Sequence, residues 1–297
     1  MDTSRLFRVD GMVAVITGGG TGLGFTMTKA LAGAGAKKVY ILGRRLAALE
    51  QAAAAHPNIV PIQCDVTDKA ALQSAVDFVT KDVGYVNLFV ANSGMVGPNE
   101  KWDHNLSIAE LRKSLFENVS VDDFTSTLRV NVSGAFFSIV AFLELLDAGN
   151  KRALEGGFGG PTGKGSDVLS IQSQVVVTAS IGGFSRHQFS RPSYMASKAA
   201  VVQLTKHAST NLARHGIRVN ALAPGLFPSE MTSGDMKLLD PSKQGPQDDN
   251  FLPARKYGSE DETAGSILYL ASKAGSFCNG TILVTDGGRL SVIPNSY

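Results

Sequence analysis

Tyr194 and Lys198 stand four residues apart in the stretch "RPSYMASKAAVVQ", residues 191–203. On a helix, positions i and i+4 share a face, which lays the lysine alongside the tyrosine hydroxyl. A free phenol titrates at about 10 and is a poor proton shuttle at neutral pH. A neighbouring ammonium favours the phenolate and lowers that value; a shift of about three units represents roughly 4 kcal/mol. Such a pair can exchange a proton with a substrate oxygen. Two ordinary polar residues on one helix face would show the same spacing, so the pair gains meaning only from its neighbours. One is Ser180, closing the run "QVVVTAS", where a hydroxyl at a strand end could donate to an oxygen that develops charge.

A second constellation follows the first apolar run, "MVAVI". It reads "TGGGTGLG" and comprises Thr17, Gly18, Gly19, Gly20, Thr21, Gly22, Leu23 and Gly24. Glycines between a strand and a helix let the backbone turn sharply and approach a ligand closely. The helix start offers unpaired N–H groups and partial positive charge, which suit a pyrophosphate. Strand before and helix after is the context such a cradle needs. The next strand-like run ends "LGRR". An acidic residue there would bond ribose hydroxyls, whereas a basic one accommodates a 2′-phosphate. Arg44 and Arg45 therefore point to NADP(H) in preference to NAD(H), with Arg44 the leading contact. Asp65, in "CDVTD" beside Val66, either meets the adenine edge or caps the following helix.

The elements that must position these residues alternate. Strand-like "MVAVITGG", "KVYILGR", "NIVPIQCDV", "VNLFVANSG", "QVVVTAS", "IRVNALAPG" and "GTILVTDGG" are separated by helix-like runs. One of those, around "TLRVNVSGAFFSIVAFLELLD", reads as a long helical region. Apolar strands without clean alternation imply a parallel sheet covered on both faces. The expectation is α/β: a single doubly wound Rossmann-type domain over 1–297, with a seven-stranded parallel sheet. Two segments interrupt it. Residues 96–123 exceed what a crossover needs and hold the only tryptophan, Trp102. Residues 147–172 are glycine-rich with little to bury and read as a surface insertion.

Composition narrows the function classes. Of 297 residues, 28 are basic and 26 acidic, a balance that gives no electrostatic case for nucleic acid. The longest apolar runs fall far short of the roughly 18 residues of a membrane span. Cys64 and Cys278 lack metal-type spacing and read as reduced thiols, which suits a cytoplasmic protein; no metal is expected.

With these motifs in register from about residue 10 to residue 288, the sequence resembles the short-chain dehydrogenase/reductase family. "TGGGTGLG" is similar to its cofactor loop, and "ANSG" (Asn92, Ser93, Gly94) to its NNAG strand end, with Ala91 and Ser93 departing. "NVSG" from Asn131 resembles the segment of the catalytic asparagine, "TAS" that of the catalytic serine, and Tyr194 with Lys198 the YxxxK motif. "NALAPG" and "TDGG" match late strand ends. The resemblance implies a nicotinamide-dependent oxidoreductase. Tyr194 would protonate a carbonyl oxygen as hydride arrives, and Ser180 would donate to the same oxygen. Lys198 would also hold the nicotinamide ribose, and Asn131 would order water leading to Lys198. Pro224, Gly225, Leu226 and Ser229 would lie along the cofactor.

The substrate is less visible. The segment joining Ser180 to Pro192 borders the pocket and offers Phe184, Arg186, His187 and Phe189. Those aromatics either favour an apolar ketone or secondary alcohol or only pack their loop. The leading expectation is an NADP(H)-dependent carbonyl reductase. An NAD-dependent alcohol dehydrogenase and a non-redox or cofactor-sensing protein of the same fold are the alternatives. The resemblance also implies a homodimer or homotetramer. "GAFFSIVAFLELL" would serve either as such an interface or as a buried helix face, and the tail, residues 289–297, either reaches a neighbouring subunit or lies unordered.

Overall fold

The computed structural model describes residues 3–188, 190–232 and 240–297. Seven strands form one parallel sheet: β1 (Val13–Thr17), β2 (Lys38–Gly43), β3 (Ile59–Gln63), β4 (Leu88–Ala91), β5 (Gln174–Thr178), β6 (Arg218–Pro224) and β7 (Ile282–Thr285). Their order is β3-β2-β1-β4-β5-β6-β7. The chain leaves β1 toward one edge, then returns to place β4 on the other side of β1. This reversal opens a crevice beyond the carboxyl ends of β1 and β4, where doubly wound sheets take ligands. The expected fold class is therefore met.

Burial explains the strand composition. All five residues of β1 and all four of β4 are buried, so neither face needs polar residues and period-two alternation is lost. One face carries Ala14, Ile16, Val39 and Ile41 against Met27 and Leu31 of α1 (Gly22–Gly33), Leu49 of α2 (Leu46–Ala53) and Ile267. The other buries Val15, Tyr40, Phe89 and Val175 under α3 (Lys69–Asp82) and later helices. Stacked Phe89 and Phe142 rings, 4.9 Å between centroids, fill its centre. Cys64 and Cys278 are both free thiols.

The long helical region expected around "TLRVNVSGAFFSIVAFLELLD" is broken. After α4 (Ile108–Arg112), α5 (Val121–Leu128) passes into a π-helical turn, Arg129–Gly134, then α6 (Ala135–Ala141) and α7 (Leu143–Leu154). Phe142, at φ −96° and ψ 6°, separates the last two and drives its ring into the core. The wide π turn lies at Asn131, and such turns re-aim side chains at functional positions. Ala135, Ile139 and Phe142 are buried while Phe136, Phe137 and Val140 are exposed. Part of the apolar stretch is thus a buried helix face, and Phe136, Phe137 and Val140 stand outside it.

Two further expectations need correction. The segment 147–172 is not purely a surface insertion, because its first eight residues extend α7 and Ile171 is buried. The tail is neither unordered nor free: a 3₁₀ turn, Arg289–Val292, leads it back onto its own chain. Among the described residues, the remaining α-helices are α8 (Pro192–Leu212), which ends in a 3₁₀ turn closed by left-handed Gly216, and α9 (Glu260–Ala271), opened by a Ser259–Glu262 capping box. No single helix among the described residues is long and apolar enough to cross a membrane.

Candidate active site

The cradle begins where β1 ends. Gly18 and Gly22 adopt φ +67° and +53°, conformations that disfavour a side chain. A Cβ on Gly24 would lie 2.1 Å from the Gly18 carbonyl oxygen and 2.5 Å from Asn92 Nδ2, so the turn is closed tightly upon itself. Thr21, the N-cap of α1, is extended and makes no side-chain cap bond, which leaves the first-turn amides to a ligand. Thr17 locks the cradle to β4: its hydroxyl accepts from the amides of Asn92 and Ser93 at 2.9 and 3.0 Å. Asn92 Nδ2 donates to the carbonyls of Thr17 and Gly18 at 3.0 and 3.3 Å.

A cleft of about 200 Å³ opens from this turn, lined among others by Gly18, Gly20, Thr21, Arg44, Arg45, Asp65, Val66, Ser93 and Gly94. Nine residues expected at a dinucleotide thus share one surface. Left-handed glycines, uncapped amides and two guanidiniums together fit the diphosphate and adenosine end of such a cofactor. Asp65 does not cap α3, since Asp68 does so through Ala70. Its carboxylate instead accepts the amide and hydroxyl of Thr67 at 2.9 and 2.8 Å. The Thr67 bonds, with Arg44 and Arg129 nearby, hold it below the usual carboxylate range. Arg44 is exposed at the cleft, while Arg45 reaches across its mouth to Glu230 at 3.0 Å and Thr21 at 3.4 Å. Leu23, Thr178 and Pro224 converge at the far end, and the Ser229 side chain lies against Gly22. A Cβ on Gly225 would meet Asp286 Cα at 2.7 Å, so glycine permits the close approach of the β6 and β7 ends.

The chemistry-bearing residues gather at the exit of β5. Ser180 is buried in an extended conformation (φ −171°), and its hydroxyl accepts the Gly182 amide at 3.0 Å. That hydroxyl lies near the Tyr194 phenol, which enters from the first turn of α8. Gly182 sits so close that a Cβ there would be 3.1 Å from the tyrosine ring. Lys198 is 5% exposed, lies with its Nζ 5.6 Å from the tyrosine ring centroid, and donates to the Thr178 carbonyl at 2.8 Å.

Burial pushes Lys198 down to about 8 and the Tyr194 phenol up, the latter opposed by the Ser180 hydroxyl. The lowering of Tyr194 expected from its spacing to Lys198 is therefore not met by these groups alone. The ammonium points at a strand-end carbonyl rather than at the hydroxyl, and desolvation dominates.

Asn131 acts as a tie. Its Oδ1 accepts the Met95 amide at 2.8 Å, and its Nδ2 donates to the Met95 carbonyl and Ser197 Oγ, both at 2.9 Å. Ser197 in turn donates to the Tyr194 carbonyl at 2.6 Å. The asparagine thus joins the exit of β4 to the helix carrying Tyr194 and Lys198.

Three contributors were not anticipated. Thr178 bonds Lys198 through its carbonyl and Asn92 Oδ1 through its hydroxyl at 3.1 Å. Glu100, 3% exposed, accepts the amide and hydroxyl of Ser193 at 2.8 and 2.5 Å and thereby caps α8 from outside. The third is the tail, whose residues 293–297 border the loop between Ser180 and Tyr194. Only tertiary pairing reveals these; an acidic residue in a long loop and a threonine before "AS" carry no spacing signal. Within that loop, Phe184 packs against the core, and burial together with Arg289 lowers His187, which favours its neutral form. Phe189 lies outside the described residues. A larger, mostly apolar cavity of about 470 Å³, bordered by Leu226, Phe227, Tyr257 and Tyr269, includes neither Ser180 nor Tyr194.

A parallel doubly wound sheet, a glycine cradle at its switch point and a Ser–Tyr–Lys group at the β5 exit define a dinucleotide-dependent oxidoreductase. The family model described as short chain dehydrogenase matches residues 12–154, and that described as Enoyl-(Acyl carrier protein) reductase matches residues 164–289. The chain is 61% identical over 272 residues to Short-chain dehydrogenase/reductase SAT3 of Stachybotrys chartarum, covering 91% of this chain and 100% of that one. Short-chain dehydrogenase/reductase PhomF of Diaporthe leptostromiformis is 45% identical over 98% of this chain and 96% of its own. Among solved structures, a gluconate 5-dehydrogenase from Burkholderia cenocepacia, in complex with NADP and tartrate, superposes with a TM-score of 0.75 at 27% identity, covering 97% of this chain and 99% of that one. The chain belongs to the short-chain dehydrogenase/reductase family and is an NAD(P)-dependent oxidoreductase.

Proposed function

We propose that the protein is an NADP(H)-dependent carbonyl reductase interconverting an apolar ketone and its secondary alcohol. One observation carries the reading: the Ser180 hydroxyl and the Tyr194 ring adjoin at the β5 rim, with Lys198 buried behind them and the cradle alongside. A bound nicotinamide supplies the hydride, or accepts it in reverse. Ser180 turns its hydroxyl to the incoming carbonyl oxygen, where it stabilises developing negative charge. Tyr194, kept protonated by burial, donates its proton to the same oxygen. Lys198, its ammonium weakened by burial, is poised to replace that proton and to bond the cofactor ribose. Asn131 and Thr178 fix the helix and the lysine in place.

Arg44 and Arg45 at the cleft, with no carboxylate at the end of β2, support the 2′-phosphate form. The complex of the similar gluconate 5-dehydrogenase with NADP is in keeping with this. Exposed Phe136, Phe137 and Val140 on α6 support self-association, which light scattering of the purified chain would test. The experiment for the main reading is calorimetric titration with NADPH and with NADH, followed by NADPH oxidation in the presence of apolar ketones. Tight NADPH, weak NADH and turnover are expected; preference for NADH, or no turnover of any ketone, would overturn the reductase assignment.

A further inference from the structure

The tail beyond β7 is built into the fold by specific bonds. Asp286 accepts the amides of Gly288 and Leu290 at 2.9 and 2.7 Å, which turns the chain at once. Buried Arg289 donates to the carbonyls of Phe251 and Asp249 at 2.7 and 2.6 Å. Asn295 Nδ2 then donates to the carbonyls of Leu290 and Ile293 at 2.5 and 2.7 Å, holding the last residues in a fixed direction.

What those residues meet is the loop that joins Ser180 to Tyr194. Ser185 and Asn295 form an antiparallel bridge. The Arg186 amide donates to the Pro294 carbonyl at 2.7 Å, and the Ser296 amide donates to the Phe184 carbonyl at 2.9 Å. The Tyr297 ring meets Phe184 edge-on, 5.0 Å between centroids. Phe184 directly follows Gly183, where a Cβ would lie 2.8 Å from the Lys198 carbonyl oxygen. The same loop is held on its far side by the Trp102 amide, which donates to the Gln188 carbonyl at 3.1 Å. Loops with few buried contacts open locally at little cost unless their backbone groups are paired, and here the tail supplies the pairing.

We propose that residues 293–297 form a β-strap that positions the loop between Ser180 and Tyr194 and thereby sets recognition of the carbonyl substrate, without a part in holding the dinucleotide. The proposal rests on the reading of Ser180 and Tyr194 given above. The strap is a positioning segment. The cradle at β1 and β4 shares none of its bonds.

The test compares the full chain with a variant lacking residues 293–297 and with Tyr297→Ala and Tyr297→Phe. Hydrogen exchange read by mass spectrometry over the peptide containing Arg186 should quicken by about tenfold in the truncated chain and less in Tyr297→Ala, with β1 and α1 unchanged. With the large apolar diketone benzil as probe, KM should rise about tenfold while kcat stays within about threefold and the NADPH Kd within about twofold. Tyr297→Phe, which keeps the ring, should behave as the full chain. Unchanged exchange at Arg186 in both the truncated chain and Tyr297→Ala would overturn the strap. So would an NADPH Kd that worsens in step with KM. The exchange reading needs no turnover, so a full chain inert toward ketones would sink the reductase reading while Arg186 still decides the strap.

Discussion

The Lys198 ammonium donates to the main-chain carbonyl of Thr178 at 2.8 Å, and the hydroxyl of the same Thr178 donates to Asn92 at 3.1 Å. One strand-end residue therefore joins the buried Lys198 to the side chain that closes the glycine turn after β1. Thr178→Val keeps the shape and the carbonyl but leaves Asn92 Oδ1 without that donor. Losing a partner of this part-buried acceptor costs about 1 kcal/mol. NADPH affinity should fall about five- to tenfold in calorimetry, together with a lower melting temperature. A melting temperature that falls with Kd unmoved would show that Thr178 supports the sheet without coupling to the cradle.

Tyr194→Phe removes the phenol and leaves a ring of nearly equal volume against Gly182. If the hydroxyl is the proton donor, kcat should drop by about a thousandfold while the NADPH Kd changes less than about twofold. Residual turnover within tenfold of the parent would remove Tyr194 from the proton path.

Arg44→Ala tests the cofactor form. Arg44 stands exposed at the cleft, whereas Arg45 is engaged by Glu230 across its mouth. A charged hydrogen bond to phosphate is worth about 1.5–3 kcal/mol, so NADPH binding should weaken about tenfold to a hundredfold with NADH little altered. Equal losses for both cofactors would mean that the guanidinium serves the cleft without reading a 2′-phosphate.

How far the sequence foretold this molecule depends on the range of the interactions. The cradle, the strands and the Tyr194–Lys198 face are local: glycine φ preferences, apolar runs and helix periodicity are written in consecutive residues. The break at Phe142 was hidden because the flanking residues favour helix on both sides, and only the demand of the core for that ring decides it. Glu100 and the tail escaped for a related reason. Their partners, Ser193 and Phe184, are 93 and 112 residues away, and no periodicity records such pairings. Tyr194 shows the same limit in electrostatics: spacing placed a cation on its helix face, but burial, a property of the whole fold, set the direction of its shift.

Burial of Lys198 also predicts a pH dependence of stability. Its folded value, about 8, lies below the ordinary 10.5 of an unfolded lysine. Between those values the unfolded chain binds the extra proton, so this group makes stability rise with pH across that window. Below about pH 8 both states are protonated and the burial penalty is fully present. Cys64, raised from 9.0 to about 11, acts in the opposite sense, because the unfolded thiol ionises first; its effect begins near pH 9. The clean interval is therefore pH 7 to 9, where Lys198 should contribute about 1 kcal/mol of added stability. Lys198→Met keeps the buried stem and removes the charge. Urea unfolding midpoints of the two proteins should converge as pH rises from 7 to 9, with the variant more stable at the lower pH. Parallel curves would mean that the ammonium is solvated in the folded chain and titrates near its ordinary value.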